Sequence, residues 1–270
     1  VPDPVGEVAG IRTERRGAVL GITIDRPDRL NALDIPSMIE LRRTVQSATV
    51  NREVRAVLLT GAGRAFCAGG DVATMEEHRA RGDLTPLFHE LTGEQETTVR
   101  ELLTMPKPVV AALPGVAAGG GLSLALACDW RIASEKALLV PAFPSLGAVP
   151  DGGLTYFLPH YLGIGLAQEM LFTNARLSAT RAKELGLVHE VVEPDQLAER
   201  AWARAEELAQ GPTFAYGWMK RLMVSAFSAS LETQLRLERR GMVEATEHGE
   251  LPEGIRAFHE KRPPRFPPPT

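Results

Sequence analysis

The sequence predicts an α/β core with parallel strands over residues 1–193, followed by a helical region over 194–270. Three observations carry that expectation. Short β-branched or apolar runs, bounded by Gly, Pro or charge, alternate with stretches whose apolar residues recur at helical spacing. Glycine-rich loops follow two of those runs directly. Past residue 193 the helical spacing continues and the strand runs stop. Strands that alternate with helices are brought back to the same end of a sheet by each crossover, which makes neighbouring strands parallel.

Ala18 to Ile24 (AVLGITI), Val54 to Thr60 (VRAVLLT) and Val109 to Leu113 (VVAAL) are the strongest strand runs. Trp130 to Ala133 and Leu187 to Val192 are weaker ones. Between them, Ile35 to Val50 sets Met38, Leu41, Val45 and Ala48 on one helical face, and Pro86 to Leu103 does the same with Leu87, Leu91 and Val99. Asp195 to Ala209, Thr213 to Ser225, Leu231 to His248 and Pro252 to Lys261 read as helices. Leu231, Leu235, Met242 and Phe258 in this region need cover, and a partner subunit is one source of it. Six prolines fall in the last 20 residues, so Pro263 to Thr270 cannot continue a helix.

Composition narrows the function. The chain is 44% hydrophobic and 24% charged, ordinary for a soluble globular protein of a length that buries a full core without staples. Thirty basic against 34 acidic residues give a net charge of −4, which argues against nucleic acid as a partner. Cys67 and Cys128 sit in apolar surroundings without a Cys-x-x-Cys pair and read as reduced thiols in the cytoplasm. No window reaches the 18 apolar residues of a membrane span, and the N-terminus has no basic-then-apolar signal pattern; no membrane partner is expected. His78, His89, His160, His189, His248 and His259 fall at no metal-ligand spacing, so no metal is expected. Gly-x-Ser-x-Gly and Walker patterns are absent.

The chemistry concentrates in three glycine-rich stretches: Gly61 to Asp71 (GAGRAFCAGGD), Gly115 to Gly121 (GVAAGGG) and Gly147 to Gly153 (GAVPDGG). Glycine after a strand and at a helix start lets a ligand approach backbone N–H groups that have no intrahelical partner and a partial positive field behind them. Two such loops facing each other would hold one oxygen from two sides, as an oxyanion hole does. Tight turns and close helix packing use glycine equally well, and spacing alone does not separate the two uses.

Ala65 to Asp71 (AFCAGGD), Pro106 to Gly121 (PKPVVAALPGVAAGGG) and Cys128-Asp129 resemble the enoyl-CoA hydratase/isomerase, or crotonase, superfamily. The resemblance extends from Arg26 to Leu33 (RPDRLNAL), through Leu177 to Val188 (LSATRAKELGLV), to Phe258 to Arg262 (FHEKR), in the family's order and over nearly the whole chain. It implies a ClpP/crotonase-like fold of repeated ββα units with a C-terminal helical trimerisation region, assembled as a homotrimer or a dimer of trimers. It also implies an acyl-CoA thioester as substrate, an enolate formed at its carbonyl, and no cofactor beyond the coenzyme A of the substrate itself. Carried over by position, the oxyanion donors fall on the N–H groups of Gly70 and Gly120. The coenzyme falls near Arg29, Leu30, Ala68 and Asp71, and Phe258 and Lys261 match C-terminal residues that reach its nucleotide end.

The chain departs from the hydratases of that family at both of their glutamates: Ser123 stands at the first position and Phe143 at the second. Adding water to a double bond needs groups that position the water and deliver a proton, and neither carboxylate is present. Asp151 offers a different one. Ala142 to Gly153 (AFPSLGAVPDGG), with Leu158-Pro159 and Gly163, resembles the ring-rearranging epoxyphenylacetyl-CoA isomerases, in which the motif's aspartate handles the proton. The matching position in chlorobenzoyl-CoA dehalogenases is an aspartate nucleophile.

A single carboxylate facing an enolate pocket suits a 1,3-proton shift, with Phe143 and Leu146 as an apolar wall that raises its pKa. The competing reading makes Asp151 the N-cap of a helix beginning at Gly152, since Pro-Asp-Gly is a good turn sequence. Ser123 reads as a small pocket-lining residue, Asp129 as a structural junction, His160 and Tyr161 as surface or packing residues, and Cys67 as a small buried residue. Glu76, Glu77 and His78 read as a solvated helix face, although the resemblance implies a mobile wall of the acyl pocket there. Four functions stand: an isomerase using Asp151, a hydratase-type lyase, a thioesterase or dehalogenase-like hydrolase, and a non-catalytic acyl-CoA-binding trimer.

Overall fold

The computed structural model describes residues 3–266. Among them the strands form two sheets. The larger runs in the order β1 (Asp3–Val8), β2 (Ile11–Arg16), β3 (Val19–Ile24), β4 (Ala56–Gly61), β6 (Val109–Leu113), β8 (Trp130–Ser134), β11 (Glu190–Val192). Its first three strands are an antiparallel meander and the rest pair in parallel. The smaller sheet runs β10 (Leu177–Ser178), β9 (Leu138–Val140), β7 (Val116–Ala118), β5 (Ala65–Cys67), parallel except for the β10–β9 pair.

Helix α1 (Ile35–Val50) occupies the predicted span and buries the four predicted residues, Met38, Leu41, Val45 and Ala48. Its start is fixed by a capping box, in which Asp34 accepts from the Ser37 N–H and the Ser37 hydroxyl accepts from the Asp34 N–H. Next come α2 (Val72–Arg81), α3 (Leu84–Thr104), α4 (Gly120–Ala127), α5 (Leu154–Leu162), α6 (Ile164–Thr173) and α7 (Ala179–Glu184). The C-terminal stretch holds α8 (Leu197–Ala209), α9 (Thr213–Ser225), α10 (Leu231–Glu247) and α11 (Glu250–His259), with no strand among the described residues beyond β11.

The parallel strands are apolar at successive positions because both faces of their sheet are covered. In β4, Val57 and Leu59 enter the main core with α1, α3 and α4, while Ala56 and Leu58 face α8. Helix α8 answers with Leu197, Ala201, Ala205 and Ala209, a single row at fourfold spacing whose alanines let the helix sit close to the sheet.

Several expectations shift. The Leu187–Val192 run contributes a strand only from Glu190, since Leu187 and Val188 bury as the end of a turn closed on Ala182. The β1–β2 hairpin, α2 and the two- and three-residue strands of the smaller sheet have no counterpart in the pattern analysis, being too short or too polar to show a period. Leu231, Leu235, Met242 and Phe258 stay exposed within one chain, Phe258 at 83%. Pro263 to Phe266 are non-helical, and Pro267 to Thr270 of the proline-rich tail, like Val1 and Pro2, lie outside the described residues.

Candidate active site

Two neighbouring parallel strands of the smaller sheet set up the site. Because β5 and β7 run side by side in the same direction, the loops that leave their C-terminal ends emerge at one edge. Gly70 lies on the first loop and Gly120 on the second. The loops touch: a methyl group on Gly69 would lie 3.0 Å from the Ala118 carbonyl oxygen and 3.4 Å from the Gly120 nitrogen. Gly119 takes φ +53, ψ −128, a conformation that excludes a side chain, and this turn starts α4 one residue later.

The Gly70 loop is held from the other side by Leu33. The Leu33 N–H donates to the Gly69 oxygen at 2.8 Å and the Leu33 oxygen accepts from Asp71 at 2.9 Å. This parallel bridge uses the groups flanking Gly70 and leaves the Gly70 N–H aimed away from it. The Gly120 N–H is the first of α4, where no intrahelical acceptor exists. Helix α4 is buried along its whole length, so its N-terminal partial charge acts in a water-poor setting where such donors count most.

Asp151 faces the same space. Its turn is made by Gly152 and Gly153, both left-handed at φ +56 and +82, and α5 starts only at Leu154 with Gly153 as its cap. The Asp151 side chain makes no capping bond, so the helix-cap reading of this residue is overturned. Two consecutive left-handed glycines turn the chain before a capping geometry can form. Its Oδ1 is buried and accepts no hydrogen bond from a described residue. Burial pushes the carboxyl up to about 6, against the smaller opposing pull of its own backbone and of the Gln95 amide.

These groups line a cavity of about 930 Å³. Of the sequence-predicted residues it brings together Ala68, Gly70, Gly120, Phe143, Leu146 and Asp151. The rest of its wall is mostly apolar, with Met75, Leu84, Phe88, Leu91 and Val140, and it also takes in Glu76 and Arg79 of α2.

Ser123 is not in the wall. It is fully buried beneath it, and its hydroxyl donates to the Asp151 backbone oxygen at 2.9 Å. Arg29, Leu30 and Asp71 stand outside the cavity wall. Asp71 is buried at the start of α2, capping the Ala73 N–H and ion-paired with Arg26 and Arg29 at 3.2 Å. Arg29 is half exposed, and Leu30, left-handed at φ +52, accepts from Ala68 at 3.1 Å. Phe258 and Lys261, at the end of α11 and just past it, are exposed and line no part of the cavity within one chain.

Two other readings keep structural roles, and a third does not. Asp129 accepts from the Val109 N–H and pairs with Lys220. Cys67 is buried, its sulfur accepting from the Gly69 N–H. Helix α2 buries none of its residues, but the solvated-face reading fails for Glu76, which lines the cavity.

Gln95 is the residue that pattern reasoning missed. It is 6% exposed on α3, lines the cavity, and donates from Nε2 to the Gly120 oxygen at 3.3 Å. A signal existed: Gln95 falls one helical step after Leu91 and one before Val99, on the face predicted to be apolar.

Comparison with known proteins gives the family and the fold. The family model described as enoyl-CoA hydratase/isomerase matches residues 14–268. The 1,2-epoxyphenylacetyl-CoA isomerase of Escherichia coli is 38% identical over 248 residues, covering 92% of this chain and 94% of its own. The short-chain-enoyl-CoA hydratase of Clostridium acetobutylicum is 32% identical over 257 residues, covering 95% and 97%. Among solved structures, an enoyl-CoA hydratase from Polaromonas sp. JS666 superposes with a TM-score of 0.90 at 34% identity, covering 95% of this chain and 99% of that one.

Proposed function

The chain belongs to the enoyl-CoA hydratase/isomerase family, and from that premise we propose that it is an enoyl-CoA isomerase whose acid–base group is Asp151. One observation carries the reading. Of the two carboxyls in the cavity wall, that of Asp151 is desolvated and raised to about 6 and that of Glu76 is lowered by its pair with Arg79, while the two positions at which the family's hydratases carry glutamate hold Ser123 and Phe143.

In the proposed reaction a 3-enoyl thioester places its carbonyl oxygen on the N–H groups of Gly70 and Gly120. Asp151 removes a proton from C2, and the C–H electron pair moves into the C1–C2 bond as the thioester oxygen takes up negative charge. Each N–H donor is worth roughly 3 kcal/mol on that oxygen in the transition state. The dienolate then collapses: Asp151 returns the proton at C4, the C3–C4 double bond is lost and a C2–C3 double bond forms. Nothing is oxidised and no co-reactant enters. A carboxyl that titrates near 6 can both accept and release the proton close to neutral pH. The coenzyme of the thioester is the only cofactor-like group this chemistry calls for.

We also infer that the chain assembles as a homotrimer or a dimer of trimers. The exposed Leu231, Leu235, Met242 and Phe258 on the C-terminal helices support this.

The test is incubation with 3-enoyl and 2-enoyl thioesters of coenzyme A in deuterated water, with Asp151→Asn alongside. Conversion of the 3-enoyl to the 2-enoyl thioester with deuterium uptake, lost in the variant, supports the reading. Hydration that survives the variant makes the protein a hydratase-type lyase. Hydrolysis through Asp151 makes it a thioesterase-like enzyme. Coenzyme A binding without turnover makes it a non-catalytic binder.

A further inference from the structure

Gln95 connects the two halves of the site, although 25 residues separate it from Gly120. Its amide fills the gap between the Gly120 loop and the Asp151 turn. A methyl group on Gly120 would lie 2.6 Å from Gln95 Oε1, and one on Gly152 would lie 2.1 Å from Gln95 Nε2. Neither glycine can be replaced without expelling the amide.

The donor inventory sharpens the point. A glutamine amide carries two N–H donors, and one of these is committed to the Gly120 oxygen. On the other side of Gly152, Asp151 Oδ1 is buried without a hydrogen-bond partner among the described residues. A buried acceptor without a donor costs about 1–3 kcal/mol and draws any donor within reach. The Gln95 amide, packed against Gly152 next to it, already favours the charged form of this carboxyl, and its second N–H is the donor available to Oδ1.

We propose that Gln95 is a positioning residue that donates to the Asp151 carboxylate while holding Gly120, and so fixes the base relative to the oxyanion donor. The proposal rests on the reading of Asp151 as the proton-transfer group. A neutral amide on this spot has a use that a lysine or arginine would not have. An N–H donor favours the ionised carboxylate and keeps it available as a base despite its burial. Being uncharged, the amide does not hold that carboxylate so firmly that it cannot pick up the C2 proton. Once protonated, Asp151 loses the benefit of the donor and is biased to give the proton back, as a 1,3-shift requires.

The experiment uses the full chain carrying Gln95→Leu and Gln95→Glu, with Asp151→Asn as reference. The Asp151 carboxyl is titrated by carbon NMR with labelled aspartate and no substrate, its resonance being the one lost in Asp151→Asn. The pH–rate profile for 3-enoyl thioester isomerisation is measured in parallel. Gln95→Leu is expected to move the titration upward by about one pH unit or more, since a donor to the charged form is gone. Turnover should then fall about tenfold near pH 6 and recover toward pH 8–9, with KM within about twofold. Gln95→Glu, close in shape, should also raise the titration by placing a like charge beside it, and it carries the test if the leucine variant does not fold.

If both variants titrate like the parent, or lose turnover equally at every pH, Gln95 is only packing and the proposal falls while Asp151 stands. If Asp151→Asn keeps full turnover, the acid–base reading falls first and the positioning role falls with it.

Discussion

Ser123 Oγ donates to the backbone oxygen of Asp151 at 2.9 Å, so the side chain standing where hydratases keep a glutamate serves as the anchor of a different carboxylate's loop. The hydroxyl is fully buried at the first turns of α4, the helix whose N-terminus offers the Gly120 N–H. One helix thereby references both the proposed oxyanion donor and the proposed base. Ser123→Ala should remove one of the two donors to the Asp151 oxygen, the Leu154 N–H at 3.1 Å remaining, and cost about 0.5–1.5 kcal/mol in urea denaturation. It should also lower kcat about tenfold with KM nearly unchanged, because a base displaced by a fraction of an ångström loses alignment before the thioester loses affinity.

Asp151→Asn should exchange activity for stability in a pH-dependent way. The folded-state carboxyl is raised from 3.8 to about 6, so the folded protein binds its proton more tightly than the unfolded chain does. Above pH 6 the charged group is a full penalty on folding. Between pH 6 and 4 the penalty fades as the folded state protonates, and below pH 4 both states are protonated and nothing remains. The variant should therefore gain about 1–3 kcal/mol over the parent at pH 8 and nothing at pH 3.5, read from urea midpoints at the two pH values. For the parent, kcat/KM should rise with pH through a midpoint near 6.

Lys220, buried on α9, pairs at 2.7 Å with the partly buried Asp129, and it also donates to the oxygens of Leu102 and Lys107 at 2.8 and 3.0 Å. Burial raises the Asp129 carboxyl, with Lys220 pulling it back. Lys220→Met should cost about 3–5 kcal/mol, since it strands a desolvated carboxylate. Adding Asp129→Asn to it should recover part of the loss. Urea denaturation of the two variants checks both statements.

Leu235→Glu combined with Met242→Glu should dissociate the proposed oligomer. Both side chains are more than half exposed on α10 in the single chain, and neither supports the main core. Sedimentation velocity should give one monomeric species for the double variant and a trimer or hexamer for the parent. A parent that sediments as a monomer would remove the assembly from the proposal.

Much of this protein is legible from local pattern. Helix α1 occupies its predicted span because an apolar face at 3.6-residue spacing and a clear start are both written within one window. The parallel character of β4 and β6 follows from runs apolar at consecutive positions. The glycine loops, the missing glutamates and Asp151 are likewise read directly from the chain. What escaped is short or polar: β5, β7, β9 and β10 span three residues or fewer, too few for any period to register.

The sequence by itself determined the α/β class, the family, the order of the longer elements and the replacement of both hydratase glutamates, with Asp151 as the carboxylate on offer. Tertiary structure decided what those groups experience. Whether Asp151 caps a helix or faces a cavity depended on two left-handed glycines and on a serine 28 residues earlier in the chain. Whether it is an ordinary carboxylate or one titrating near 6 depended on the water excluded by α3, α4 and the smaller sheet. Gln95 became part of the site only when the chain folded α3 against the Gly120 loop. Periodicity is a property of neighbours along the chain, whereas desolvation and hydrogen-bond partnership are properties of neighbours in space.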